Sequence, residues 1–122
     1  MNVYDLMIGD LVQFDEDTCV IEELRVDGTA VLVAMNTDLT SVDGDQVDEE
    51  ELSPIELTED ILEKNGFRHS ISHNDWTNAD CNFFLYEGGN GFRIQNTDIR
   101  LEYVHQLQHL LRLCGIEKEV KL

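Results

Sequence analysis

A chain of 122 residues with 42% hydrophobic residues is long enough for one domain or two very small subdomains, and too apolar for global disorder. Eight Lys and Arg against 26 Asp and Glu give a net charge of −18, which argues against a nucleic-acid backbone or an anionic membrane surface as partner, because both reward positive charge. Cys19, Cys81 and Cys114 are far apart and form no CxxC pair, so reduced thiols and a cytoplasmic location are expected; there is no signal-peptide pattern and no apolar run of membrane-spanning length.

In chain order, Ile8-Gly9-Asp10 is a turn signal, and Leu11 to Phe14 alternates as a half-buried strand does. A second strand is predicted over Thr18 to Val26, with Cys19, Ile21 and Leu24 facing inward. Asp27-Gly28 is a two-residue hairpin signal, and Thr29 to Met35 is the returning strand. A shorter strand over Leu39 to Val42 precedes a turn at Asp43-Gly44-Asp45. Short strands at this spacing, joined by tight turns, predict a small antiparallel barrel, with an SH3-like barrel the first choice.

Pro54 opens the clearest helix signal in the chain. Thr58 is a side-chain N-cap, Glu59 and Asp60 put negative charge on the first turn, and Leu57 with Leu62 forms a hydrophobic staple. Gly66 supplies a left-handed stop. After it, Phe67 to Ile71 is predicted as a strand, Asn74 to Asp80 as a loop holding Trp76, and Asn82 to Tyr86 and Gly91 to Gln95 as a hairpin. Ile99 and Leu101 add an extended piece. A second helix runs from Glu102 or Tyr103 to Cys114. Tyr103, Val104, Leu107, Leu110, Leu111 and Cys114 share its apolar face, and His105, Gln106, Gln108, His109 and Arg112 share the polar one. Glu117 to Leu122 is expected to close the chain as a strand. The expected fold is therefore α+β. Residues 1–53 form a small barrel, and residues 54–122 carry a short helix, an antiparallel hairpin sheet and a C-terminal amphipathic helix, packed with the first half as one compact unit.

Pro54-Ile-Glu-Leu-Thr-Glu-Asp-Ile-Leu-Glu-Lys-Asn-Gly-Phe67 resembles the Pro-Ile-x-Leu-Thr-Glu-x-Ile-Leu-x-Lys-x-Gly-Phe segment of a family of small uncharacterised proteins found in gut anaerobes, their prophages and mobile elements. Tyr103-Val-His-Gln-Leu-Gln108 is similar to that family's C-terminal Tyr-Val-His-Gln-Leu-Gln helix, and Asp5 to Gly9 to its opening segment. The resemblance implies an architecture and a mobile-element setting, and it implies no activity.

Candidate chemistry centres on histidine. His105 and His109 are four residues apart, so both imidazoles can face one metal ion; zinc then needs a further protein ligand, for which His69 and His73 are the candidates. Without a metal, His105, Gln106, Gln108 and His109 form a binding face of the helix. The acidic Asp43 to Glu51 stretch fails the EF-hand pattern, since Gly44 and Val47 stand where that loop needs other residues. Gly88 to Gly91 lacks the Lys and helix of a phosphate loop and is a hairpin tip. No catalytic group and no cofactor are assigned. The expected function is a non-enzymatic accessory or protein-interaction role in a mobile element. An acidic mimic of nucleic acid and a metal-binding protein using the helix histidines are the alternatives.

Overall fold

The protein, seen here as a computed structural model, is described over residues 6–14, 17–24, 29–34, 45–72, 75–81, 83–88, 91–116 and 119–122. Expectations for Asp27-Gly28, Leu39 to Val42, Asp43-Gly44 and His73 fall outside these residues. The chain divides into two compact units, Met1–Ile55 and Glu56–Leu122. The fold is α+β, with one antiparallel sheet in each unit.

The first unit holds β1 (Leu11–Phe14), β2 (Asp17–Leu24), β3 (Thr29–Ala34), β4 (Asp45–Asp48) and β5 (Leu52–Ser53), in the order β4-β3-β2-β1-β5. A 3-10 turn, Glu49–Glu51, links β4 directly to β5, and Glu51 Oε2 accepts from the Asp48 N–H at its start (3.2 Å). From sequence alone this acidic stretch reads only as a lead-in to Pro54. Its residues are poor strand formers, and only pairing with β3 and β1 makes β4 and β5 strands. A bulge between Ile21 and Glu23 interrupts the β2–β3 ladder, the usual device for bending a strand. Among the described residues β4 and β5 form no ladder with each other, so no closed barrel is present.

Leu6, Val12, Cys19, Ile21 and Leu52 make the buried cluster of this unit, with Phe14 and Leu24 packed at its margin. The turn before β1 is locked by Asp10, which is fully buried. Its Oδ2 accepts from the Met7 N–H at 2.7 Å, its N–H donates to the Met7 carbonyl, and its carbonyl accepts from the Ile21 N–H. Asp10→Ala removes a fully buried side chain and the acceptor of the Met7 N–H and is expected to cost about 1–3 kcal/mol, read as a lower denaturant midpoint, whereas Asp10→Asn keeps an acceptor and costs less.

The second unit begins with Pro54's successor segment and α1 (Glu59–Lys64). Thr58 caps it through its hydroxyl, which accepts from the Ile61 N–H at 3.3 Å. Gly66, at φ +88°, ends it in the left-handed region, and the Phe67 N–H returns to the Leu62 carbonyl. Leu57 and Leu62 are both buried, as a staple requires. A bridge between Glu56 and Tyr103, with the Leu57 N–H donating to the Glu102 carbonyl, joins the approach to α1 to the start of α2 (Val104–Leu113). The two motifs that carry the family resemblance are therefore neighbours in space.

Between the helices, β6 (Arg68–Ser70), β7 (Asp75–Thr77), β8 (Leu85–Glu87), β9 (Phe92–Ile94) and β10 (Arg100–Leu101) form a simple meander in chain order. The predicted loop at Asn74 to Asp80 is corrected here, because Asp75–Thr77 is the middle partner of β6 and β8. Its polar flanks hid a strand whose one apolar member is Trp76. Trp76, Leu85, Phe92 and Leu101 are buried, as are Leu62 of α1 and Val104, Leu107 and Leu111 of α2, and together these supply the apolar core of the unit.

Two further expectations fail. The last residues, 119–122, form no strand; the Asn65 amide holds them instead, with Nδ2 donating to the Lys121 carbonyl and Oδ1 accepting from its N–H, both at 2.7 Å. Cys114 is exposed rather than part of the core, because α2 ends at Leu113 and the apolar face is finished by Leu111.

Candidate binding face

The histidines of α2 are only partly where their spacing suggests. His105 and His109 lie edge to face with ring centroids 5.6 Å apart, as one helical turn dictates. Tyr103 stacks on His105 at 5.8 Å. His105 and Gln108 are buried, so the polar face of this helix is not a free surface. Gln106 closes the helix start, where its Oε1 accepts from the N–H groups of Glu102 (2.7 Å) and Tyr103 (3.0 Å). His69 sits on β6 and packs at a tilt of 31° against Trp76, with centroids 4.9 Å apart. Among the described residues no group of three or more His, Cys, Asp or Glu side chains is placed to hold a metal ion.

One carboxyl pair is electrostatically unusual. Glu59, in the first turn of α1, titrates above its ordinary value. The cause is chiefly a hydrogen bond with Glu87, then the charge of Glu87, with slight desolvation, while His69 opposes the shift. A raised folded-state value means the folded protein favours the protonated form. The stability it contributes is present at low pH and is lost as pH rises through the raised value. Glu59→Gln should therefore raise the melting temperature at pH 7, where the charge of Glu87 opposes an ionised Glu59, and the gain should shrink as the pH falls through the raised value of Glu59.

The meander has two faces. One carries Trp76, Leu85, Phe92 and Leu101 and is buried. On the other, register places Ser70, Asp75, Tyr86, Arg93 and Arg100 opposite one another in a single row across all five strands. Arg68 lies on the same face, two residues from Ser70. Phe84, two residues before Tyr86 and tied to β9 by the Gln95 N–H donating to its carbonyl, is 40% exposed. Arg68, Arg93 and Arg100 are exposed as well. Three of the five arginines of the chain thus share one open sheet face.

Tyr86, Glu87, Gly88, Arg93 and Arg100 line a cleft of about 200 Å³ on this face. Arg100 Nη1 donates to the Gly88 carbonyl at 3.1 Å, which fixes the guanidinium against the hairpin. Sequence reading missed these residues. An overall charge of −18 drew attention to acid, and Arg93 and Arg100 become neighbours only once the β9–β10 register is known. The available signal was the alternation Phe84-x-Tyr86 and the single Arg93 in an apolar strand.

No helix of the described residues is long and apolar enough to cross a membrane. In comparisons with protein-family models, curated proteins and solved structures, the chain matches none of them.

Proposed function

We propose that this is a non-enzymatic protein-interaction protein, an accessory of a mobile element, whose contact surface is the open face of the second sheet. The observation that carries this reading is the company of Phe84 and Tyr86 with Arg68, Arg93 and Arg100 on one exposed face. Aromatic residues and arginine dominate the energetic centres of protein interfaces, because they combine large buried area with directed donors. Asp75, the one carboxylate of the row, is buried, and the exposed positions of the row carry arginine in a chain where Glu and Asp abound.

We read the first unit as an SH3-like barrel. Its strand order and the 3-10 turn between β4 and β5 support this. The two edge strands of a flat five-stranded sheet would lie about 19 Å apart, whereas three residues of 3-10 helix span roughly 6 Å, so the sheet must curl to let β4 pass into β5.

The test is affinity capture from the host with the double variant Phe84→Ala, Tyr86→Ala as the comparison. Loss of a defined partner, with the fold intact by Trp76 fluorescence, supports the reading. Capture that is indifferent to both changes overturns it. The net charge of −18 supports a second reading, mimicry of nucleic acid toward a basic groove. It requires displacement of duplex DNA from a DNA-binding protein at low salt, and no displacement removes it.

A further inference from the structure

We propose that the Arg93–Arg100 cleft recognises the phosphoryl group of a phosphorylated side chain on the partner. This rests on the reading of the open sheet face as the contact surface, and it names the chemistry of the anchor.

Arg93 and Arg100 are directly opposed on neighbouring strands. Like charges so placed repel and destabilise a sheet. In a chain with 26 acidic and 8 basic residues, a neutralising carboxylate is the simplest remedy. Yet among the described residues neither guanidinium forms an ion pair with one; Arg100 uses one N–H on the Gly88 carbonyl. An adjacent pair of guanidiniums with no carboxylate in ion-pair contact among the described residues is an arrangement that a bound anion relieves.

One guanidinium already saturates a carboxylate through two parallel hydrogen bonds. Two guanidiniums side by side carry two positive charges and two planar forks, which match the charge and the three terminal oxygens of a phosphate monoester better than any single carboxylate. Tyr86, next to Arg93 in the row, adds a hydroxyl donor and a flat ring beside the head group.

Cavities that enclose a whole small ligand run from about 300 to 1,000 Å³. At about 200 Å³ this cleft takes the head group, and the rest of the ligand must lie outside it. What lies outside on the same face is Phe84 and Arg68, surface that a polypeptide can use and a small ester cannot. Glu87, which also lines the cleft, and the net charge of the chain oppose extended polyanions, so duplex DNA is a poor occupant.

The experiment is calorimetric titration of the full chain with four probes: a neutral hexapeptide bearing one phosphoserine, its unphosphorylated twin, a glutamate twin, and free O-phosphoserine. The phosphopeptide should bind at least about tenfold more tightly than each of the others, the scale of one lost charge-assisted hydrogen bond. Arg93→Gln and Arg100→Gln should each weaken it about tenfold or more, while Arg112→Gln, on α2 and away from the row, should leave it unchanged. Arg93→Gln removes a repulsion and no side-chain hydrogen bond among the described residues, so that variant should melt at or above the temperature of the parent, which separates lost binding from lost fold. Equal binding of the glutamate twin, equal binding of free O-phosphoserine, or indifference to both arginine variants would overturn the proposal. Partner capture that depends on Phe84 and Tyr86, with no phosphopeptide binding, would remove the phosphoryl anchor and leave the contact face standing.

Discussion

Gly91→Ala is expected to destabilise the second unit by about 3–5 kcal/mol, from left-handed backbone strain and overpacking together. Gly91 sits at φ +92°, where a side chain is strained whatever the space. A Cβ there would also lie 2.4 Å from the Leu101 carbonyl oxygen and 3.0 Å from the Glu102 Cα. Both are backbone atoms, so neither can swing aside. The cost falls on the junction of β9, β10 and the start of α2, because Leu101 is the paired residue of β10 and Glu102 precedes the helix. Gly88→Ala, three residues earlier in the same hairpin, meets nothing within 4 Å and should change stability by less than about 1 kcal/mol. Urea titration of the two variants makes the comparison. Equal midpoints would show that the approach of Gly91 to β10 is not a constraint.

Trp76→Ala should cost about 3–5 kcal/mol, whereas Trp76→Phe should cost well under half as much. Trp76 is the single tryptophan, is fully buried, and packs against His69 on one side and edge-on to Phe92, 6.3 Å away, on the other. Truncation to Ala leaves a large cavity among three strands. Phenylalanine refills most of it, and it also removes an indole N–H that is buried with no hydrogen-bond partner among the described residues. An unsatisfied buried donor costs about 1–3 kcal/mol, so its removal offsets part of the lost packing. Thermal melts followed by circular dichroism decide between the two. A Phe variant as unstable as the Ala variant would mean that the indole nitrogen is satisfied in solution.

Sequence grammar located α1 well because each of its signals is local. The Thr58 cap, the Glu59 and Asp60 charges and the Gly66 stop act within a few residues of one another. The same holds for Leu11–Phe14, where alternation alone marks the strand. What failed was non-local. β4, β5 and β7 are strands because a neighbour pairs with them: Asp45–Asp48 and Leu52–Ser53 have little strand preference of their own, and Trp76 and Thr77 are too short a run between polar flanks to announce β7. The site followed the same rule. His105 and His109 are close because four residues of helix make them close, and the pair was legible. Its surroundings were not: the burial of His105 and Gln108 depends on what packs against α2. Tyr86, Arg93 and Arg100 come from three strands, and only the hydrogen-bond register aligns them.

The pairing order of the two sheets also sets a timetable for folding. In the second unit every strand pairs with its neighbour in sequence, so each ladder closes a short loop. In the first unit β1 must find β5, with Gln13 opposite Ser53, across 40 residues of chain. Closing that long loop comes late, and chains with such distant pairings fold more slowly. The N-terminal unit therefore leaves the ribosome first yet cannot complete its sheet until residue 53 has emerged. In refolding experiments Trp76 fluorescence, which reports on the second unit, should recover in an earlier phase than hydrogen-exchange protection of β1.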